Sequence, residues 1–175
     1  MRRRTWLLIL LGACTALIVW ALWAFRPRAQ PALVYFVRWD PATNAGQLVP
    51  GLRWVYGRTR SDWVAAAVRE LLRGPNPNPK ERALGYSSEI PPGTRLLGVR
   101  IRGQTAYVNL SRPFESGGGS ASMLARLYQV VYTVTHFPGV QEVRIEIEGQ
   151  LRDSLGGEGL LVDLPVRRPP SAPRF

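Results

Sequence analysis

Cysteine and histidine are scarce in this chain of 175 residues, and their scarcity excludes several kinds of site. The single cysteine, Cys14, lies in an apolar stretch near the N-terminus, so the rest of the chain can form neither a disulfide nor a thiolate metal site. The single histidine is His136, and neither an HExxH motif nor a calcium-loop spacing is present. We therefore expect no metal ion and no cofactor.

His136 is the natural candidate for a general base, but the sequence offers it no recognisable partner. No cysteine lies in the folded part, and no GxSxG nucleophile motif occurs. The residue falls near the predicted end of a helix, where a cation gains about 0.3–1 kcal/mol from the helix dipole. We expect no catalytic residue and no enzymatic activity. Hydrolysis is kept as a third hypothesis, tested by His136→Ala.

The net charge of +11 lies mostly at the two ends of the chain. Residues 32–165 hold 15 basic and 12 acidic side chains, and the remaining excess comes from arginines outside that range. A nucleic-acid-binding domain concentrates its basic residues on the folded surface. We therefore do not expect nucleic acid among the partners.

Trp6–Phe25 is a run of 20 residues without a charge or a proline. As a helix it would be about 30 Å long, which matches the hydrocarbon thickness of a bilayer. Three arginines precede the run, and the positive-inside bias then places residues 1–5 in the cytoplasm as a basic stub. The prediction is a single-pass anchor at residues 6–25 in a bacterial cell membrane, with the C-terminal domain on its outer side.

Two alternatives remain for this segment. Leu11-Gly12-Ala13-Cys14 resembles a lipobox, and cleavage before Cys14 would leave a lipidated cysteine at the mature N-terminus. A cleaved secretory signal fits less well, because its apolar run is usually only about 7–15 residues long. In every case the domain after this segment faces outward.

The residues after the apolar run divide into a linker, one domain and a tail. The linker, residues 26–31, contains two prolines and spans under about 20 Å, so the domain is expected close to the membrane. Residues 32–165 are long enough to bury one hydrophobic core. Residues 166–175 are basic and contain prolines, and we predict that they are disordered.

Hydrophobic periodicity predicts a mixture of strands and two helices. The first helix should span 61–73, with Ser61 as its N-cap, and the second should span 123–137. The order of elements indicates an α+β fold in which two helices cover one face of a mixed sheet. Strands are expected at 33–39, 48–56, 96–102, 105–110, 140–148 and 160–164. Because it contains Pro50, the strand at 48–56 should be an edge strand or a bulged one.

Two loops carry patterns that are typical of binding sites. The glycine-rich residues 116–120 lack the lysine and the spacing of a phosphate-binding loop, so we expect only a loop that ends at an N-cap, Ser120 or Ser122. The alternating prolines of residues 74–81 could form a polyproline ligand, but we expect a stiff surface connector instead.

One face of the predicted sheet is polar. Leu97, Val99 and Ile101 should point to the core, so the alternate side chains along the same strand face solvent. The strand at 140–148 alternates in the same way. The candidate interaction surface comprises Arg100, Arg102, Tyr107, Arg144 and Glu146, together with the loop at 74–93.

A combination of motifs resembles a known family. They are Ser87-Ser88, Ile90–Thr94, Leu96–Val99, Asn109–Ser111, Gly119–Ser122, Val131–Thr133 and Phe137–Val140. Together they resemble the GerMN domain, which is named from a bacterial spore-germination protein, over residues 33 to 164. The resemblance implies a β-α-β-β-α-β unit and a role in protein–protein assembly in the cell envelope, related to sporulation or germination.

These observations support two hypotheses on function. The first is a non-catalytic interaction domain that is tethered outside the bacterial membrane and binds other envelope proteins. The alternative is a sensor or carrier module that binds a cell-wall fragment or a small molecule. In that case Trp39, Trp54, Tyr56 and Tyr107 could stack on a sugar.

Overall fold

The structure is a computed structural model, and it describes residues 12, 14–20, 23, 26–75, 79–157 and 159–175. Residues 14–20 are helical. The later elements are β1 (Arg28–Asp40), β2 (Ala45–Gly57), α1 (Arg60–Arg73), α2 (Pro79–Ala83), β3 (Tyr86–Ser87), β4 (Leu96–Arg102), β5 (Thr105–Leu110), a 3-10 helix (Arg112–Glu115), α3 (Ser120–Val134), β6 (Glu142–Ile147), β7 (Gln150–Leu151), β8 (Ser154–Leu155), β9 (Leu160–Leu161) and β10 (Val166–Arg167).

A mixed sheet forms one side of the domain. Its strand order is β10-β6-β5-β4, and β7 pairs with the far end of β6. Strands β5 and β6 are parallel and are joined by α3, whereas the other pairs are antiparallel. Parallel neighbours need such a crossover helix, which explains why the strand–helix–strand order appears here. The predicted α+β class with a mixed sheet is confirmed.

A second sheet forms the other side, in the order β2-β1-β3. β1 and β2 make a hairpin of two 13-residue strands with an unbroken register from Arg28–Gly57 to Asp40–Ala45. The prediction of residues 26–31 as a linker is wrong from Arg28 onward, because those residues already pair with β2. The prediction of an edge strand is confirmed, since β2 carries Pro50 at the border of its sheet.

Both helices pack on the inner face of the mixed sheet, as expected, and they also contact the second sheet, which was not predicted. α1 contacts β1, β2 and β4, and α3 contacts β1 and β6. Helix α3 is consequently buried on almost every side from Met123 to Val134. One continuous core joins the inner faces of both sheets to the helices; its fully buried members include Val34, Phe36, Val68, Leu71, Val108, Leu110, Val131 and Val143. The outer faces of the two sheets therefore lie on opposite sides of this core.

Helix α1 begins one residue earlier than predicted and has a different cap. Thr59, not Ser61, is the N-cap: its side chain accepts a hydrogen bond from the Asp62 amide at 3.2 Å, and Asp62 bonds the Thr59 amide at 2.9 Å in return. This reciprocal capping box gives hydrogen-bond partners to two backbone amides that have none within the helix. The same carboxylate accepts from the Arg58 amide, and these bonds lower the pKa of Asp62.

Helix α3 closes the edge of β1 that faces away from β2. Gln129 donates to the carbonyl oxygen of Tyr35 at 3.2 Å, and Thr133 accepts from the Tyr35 amide at 3.0 Å. Further along, β3 pairs with β1 at Val37 and Arg38. Both polar side chains of α3 are fully buried, which is possible because the strand supplies their hydrogen-bond partners.

The C-terminal residues are ordered, so the prediction of a disordered tail at 166–175 is wrong. Val166 and Arg167 form β10 on the edge of β6. At the end of the chain, the Phe175 amide donates to the Gly46 carbonyl at 3.1 Å, and the Gly46 amide donates to Phe175 at 3.0 Å. The basic composition of the tail suggested disorder, but its backbone pairs with both sheets.

The predicted membrane anchor at residues 6–25 falls largely outside the described residues. Among the residues that are described, no helix has both the length and the hydropathy for a bilayer crossing.

A bulge in β4 changes which side chains face the core. The register with β5 shifts between Leu96 and Gly98, so Leu96 packs against the core and Leu97 is exposed. The prediction that Leu97 is buried is therefore wrong, whereas Val99 and Ile101 do pack against the core as expected. An extra residue on one strand reverses the alternation, and the hydrophobic pattern alone does not reveal it.

Candidate interaction surface

The structure brings the five predicted surface residues together on the outer face of the mixed sheet. Arg100 is the register partner of Tyr107 across β4 and β5, and Tyr107 is the partner of Arg144 across β5 and β6. Arg102 and Glu146 lie two residues further along their own strands, on the same face. We call these five residues, Arg100, Arg102, Tyr107, Arg144 and Glu146, the polar face.

Arg100 and Glu146 form a two-pronged ion pair across the width of β5. Nη1 of Arg100 donates to Oε2 of Glu146 at 2.7 Å, and Nη2 donates to Oε1. The carboxylate is only 3% exposed, whereas the side chain of Arg100 is about half exposed. The hydrogen bonds that Arg100 donates to Glu146 raise the pKa of Arg100 above its ordinary value. The expectation of a solvated glutamate on this strand is wrong, because Arg100 covers it.

Tyr107 lies in the centre of the polar face between two guanidinium groups. The Cζ atom of Arg100 is 4.6 Å from the ring centroid, and that of Arg102 is 6.0 Å away. Cation–π attraction of this kind holds both arginines over the strand. Because both arginine side chains are already ordered, binding of a partner would cost less side-chain conformational entropy.

Arg144 serves the fold rather than an open surface. Its side chain is mostly buried, Nη1 donates to the carbonyl oxygen of Asp163, and Nη2 lies 3.8 Å from a carboxylate oxygen of Asp153. These contacts hold the loop between β7 and β10 against the sheet. Of the polar face, Arg100, Arg102 and Tyr107 are thus the residues that a partner can reach.

A second set of polar side chains on the same outer face was not predicted from the sequence. Glu142 accepts from the Thr105 hydroxyl at 2.6 Å and from Nε of Arg167 at 3.0 Å. The Thr105 bond first, and then Arg167, hold the pKa of Glu142 below its ordinary value. Alternation along β5 and β6 could have indicated Thr105 and Glu142. Arg167 could not have been found, because it belongs to the tail that was expected to be disordered.

In the other candidate region, the loop at 74–93, the described residues bond Arg53, Val37, Ser122 and Gln129 and not the polar face. Residues 76–78, which carry the proline alternation, lie outside the described residues. The next residues form α2 and β3 instead of a loop, and Glu81 within α2 is buried against Arg53.

The four aromatic residues proposed to hold a sugar do not converge. Trp54 and Tyr56 lie together on the outer side of β2, and Trp39 lies at the opposite end of the hairpin. Tyr107 belongs to the other sheet, across the core. The arrangement gives no support to a shared sugar-stacking site.

His136 comes directly after α3 and packs against Phe137, with ring centroids 5.7 Å apart. Burial first, and then the charge of Arg168, lower the pKa of this histidine. Both effects disfavour a histidine cation at the helix end. Arg168 supplies that cation, because it donates to the Tyr132 carbonyl at 2.6 Å and to the Thr135 hydroxyl at 3.3 Å.

The glycine-rich loop is arranged around a buried arginine and not around an anion. Arg126 of α3 donates to the carbonyl oxygens of Phe114, Ser116 and Gly117 at 2.8–3.0 Å. An anion site needs amides that point inward, whereas here carbonyls point at a cation. The N-cap of α3 is Gly119, so the prediction of Ser120 or Ser122 is wrong.

Among the described residues, no group of three or more histidine, cysteine, aspartate or glutamate side chains is close enough together to hold a metal ion.

The fold belongs to a recognised family. The sequence profile of the Germane family, described as sporulation and spore germination, matches residues 33–153, which is more than half of the chain. The chain is therefore a member of this family of sporulation- and germination-related domains. The resemblance to the GerMN domain that the sequence motifs indicated is confirmed.

Solved structures share this fold at low sequence identity. The tandem GerMN domains of the sporulation protein GerM from Bacillus subtilis superpose with a TM-score of 0.60 at 20% identity, over 81% of this chain and 45% of that chain. The first GerMN domain of that protein gives 0.57 at 19% identity, over 78% and 97%. A candidate lipoprotein from Clostridium perfringens gives 0.56 at 20% identity, over 80% and 88%. This chain thus spans less than half of the tandem structure, and no curated protein sequence matches it.

Proposed function

We propose that the chain is a non-catalytic interaction domain, tethered to the outer side of a bacterial membrane, and that it binds another envelope protein through the polar face. The observation that carries the proposal is the arrangement of Arg100, Arg102 and Tyr107. Two exposed guanidinium groups are held over one aromatic ring by contacts within the fold. Arginine and tyrosine are the residue types that contribute most at protein interfaces.

The buried ion pair beneath this arrangement supports the same interpretation. Glu146 fixes Arg100 from below, so the surface is formed before any partner arrives. A partner that presents carboxylates could reach the outer side of Arg100 and the neighbouring Arg102. We therefore expect an acidic surface on the partner.

The surroundings of His136 support a non-catalytic function. Its ring is packed on Phe137 and is partly buried. The residue lies at the end of α3, behind the core from the polar face. Turnover of an envelope substrate that disappears in His136→Ala would contradict this part of the proposal.

The tether is proposed from the sequence. The 20-residue apolar run ends at Phe25, and β1 begins at Arg28, so little chain separates a membrane-embedded segment from the domain. A diacylglycerol group on Cys14 is the alternative attachment. Intact mass measurement of the purified N-terminal peptide distinguishes the two, because lipidation removes the preceding residues and adds the mass of the lipid.

Charge reversal at Arg102 tests the interaction surface. Arg102 is the best position, because changing Arg100 would leave Glu146 buried without its partner. In membranes of the native host, chemical crosslinking of the full chain should capture an envelope protein, and Arg102→Glu should reduce its yield several-fold. Arg95→Glu, an exposed arginine outside the polar face, is the matched control. Equal capture by both variants would rule out this surface.

A further inference from the structure

The outer face of the β1–β2 hairpin carries no charged side chain. The register is unbroken, so alternate residues from Ala29 to Trp39 and from Gly46 to Tyr56 share that face. Every one of them is apolar, aromatic, glycine or proline. All charged residues of the hairpin occupy the remaining positions, whose side chains point to the opposite face of the sheet. A sheet face that is exposed to water is normally polar, so this pattern needs an explanation.

The C-terminal tail covers one half of this face. Tyr35 packs edge-on against Tyr132, with centroids 5.3 Å apart, and Arg168 lies 5.2 Å above the Tyr35 ring. Nearer the turn of the hairpin, the backbone of Phe175 pairs with Gly46. Val37 is buried in this half of the face, whereas Trp39, at the end of β1, stays 52% exposed.

The other half is bare. Leu52, Trp54 and Tyr56 lie at successive alternate positions of β2, and they are 59%, 61% and 65% exposed. Their register partners on β1 are Leu33, Pro31 and Ala29. We call these six residues the bare half.

The bare half lies at the end of the hairpin where the N-terminal apolar run joins the domain. Two residues, Arg26 and Pro27, separate that run from β1, a distance of at most about 10 Å in an extended chain. Arg28 is held in place at this point, because the indole of Trp63 donates to its carbonyl oxygen at 3.1 Å. A membrane that held the apolar run would consequently lie next to Ala29 and Tyr56.

Basic side chains border the bare half. Arg69 and Arg73 of α1 are exposed, and together with Trp54 and Tyr56 they line an open cavity of about 400 Å³. Glu70 also lines this cavity and forms an ion pair with Arg73. The positive charge of Arg73 is therefore partly neutralised, and Arg69 contributes more of the positive charge of the cavity. Tryptophan and tyrosine prefer the headgroup region of a bilayer, and arginine is attracted to anionic lipids.

We infer that the bare half docks on the anionic bilayer surface to which the chain is tethered. The inference rests on the proposed tether, because the nearby apolar run is what selects a bilayer over a second copy of the chain or a peptide. Docking would also orient the domain. The polar face lies on the opposite side of the core, so it would point away from the membrane towards partners in the envelope.

Photocrosslinking of the full chain tests this inference. Benzoylphenylalanine is placed at position 54, in exchange for Trp54, or at position 107, in exchange for Tyr107, as the matched aromatic control on the other sheet. The purified chain is inserted into vesicles of phosphatidylglycerol and phosphatidylcholine, recovered by flotation, irradiated and analysed by mass spectrometry. We expect lipid adducts several-fold more abundant at position 54 than at position 107, and fewer adducts in phosphatidylcholine alone.

Each other outcome contradicts a defined part of the inference. If the chain floats but positions 54 and 107 give equal lipid adducts, the tether stands and the docked face is wrong. A crosslink at position 54 to a second copy of the chain shows that protein occupies the bare half. Adducts that do not decline without phosphatidylglycerol exclude the anionic preference. If the chain does not float, the proposed tether itself fails.

Discussion

The guanidinium of Arg53 and the carboxylate of Glu81 share two hydrogen bonds of 2.6 Å each, and both side chains are almost wholly buried. Arg53 reaches Glu81 from β2 across the ring of Phe36, whose centroid is 5.2 Å from Cζ. Gly51 makes room for the carboxylate, since a Cβ atom there would lie 2.5 Å from its Oε1 atom. This pair fastens the short helix α2 to the hairpin.

Loss of one partner from this pair should be costly. In Glu81→Ala, the buried guanidinium of Arg53 loses both hydrogen bonds and keeps only the Glu70 carboxylate, 3.9 Å from its Nε atom. We therefore expect the free energy of unfolding to fall by about 3 kcal/mol, at the lower end of the range for a broken buried pair. Urea denaturation of the detergent-solubilised chain, monitored by tryptophan fluorescence, measures the change. Asp153→Ala removes a carboxylate that is 82% exposed and should change stability little. Equal effects of the two variants would show that burial of the pair contributes nothing.

Gln129 should be difficult to replace by a side chain of similar size. Gln129→Leu removes the donor to the Tyr35 carbonyl and the acceptor of the Glu89 amide, which are 3.2 and 3.0 Å away. We expect a loss of about 1–3 kcal/mol, because these backbone groups would be left unpaired. Gln141→Leu, at an exposed position, is the control for the same denaturation experiment. A Gln129→Leu variant as stable as the wild type would show that the helix does not close the strand edge through this residue.

The pKa of His136 should respond to Arg168. Arg168 holds the pKa of the histidine down through its positive charge, in addition to the larger effect of burial. Arg168→Ala should therefore raise the pKa towards the ordinary value of about 6.5. Because the chain has one histidine, its NMR signal in an untagged protein can be titrated without ambiguity. Arg167→Ala alters the neighbouring arginine and should leave the pKa unchanged; an equal rise in both variants would exclude a specific effect of Arg168.

Glu142 should make the stability of the domain sensitive to acid. Its pKa is lower in the folded chain than in the unfolded one, so it stabilises the fold at neutral pH. This contribution begins to fall as the pH drops below the unfolded value of about 4.3 and is lost as the pH passes the folded pKa. The stability difference between the wild type and Glu142→Gln should accordingly shrink from pH 7 to pH 3 in urea titrations. A difference that is constant over this range would contradict the role of the carboxylate charge.

The sequence predicted local elements well, since local patterns determine them. The α1 helix, the β4–β5 hairpin and the alternation of β6 depend on periodicity and on turn residues within a few positions, and each was placed to within a few residues. The polar face was also found in this way, because alternation alone places Arg100, Tyr107 and Arg144 on one side of their strands.

What the sequence did not predict depends on contacts between distant residues. The division into two sheets results from the closure of β1 by α3 through Gln129 and Thr133, more than 90 positions away from Tyr35 along the chain. The ordered tail depends on Arg168, which binds α3 36 residues earlier. Predicting the burial of Glu146 would have required knowing that Arg100 reaches across β5. No local pattern carries information of this kind.

The closure of β1 by α3 has a consequence for self-association. Tyr35 directs both backbone groups towards the helix, so its antiparallel partner Pro50 turns its own backbone towards the free border of β2. Proline has no amide hydrogen to offer there. An additional strand attempting to extend this sheet would therefore meet a helix on one border and a missing donor midway along the other, which protects the hairpin against open-ended polymerisation.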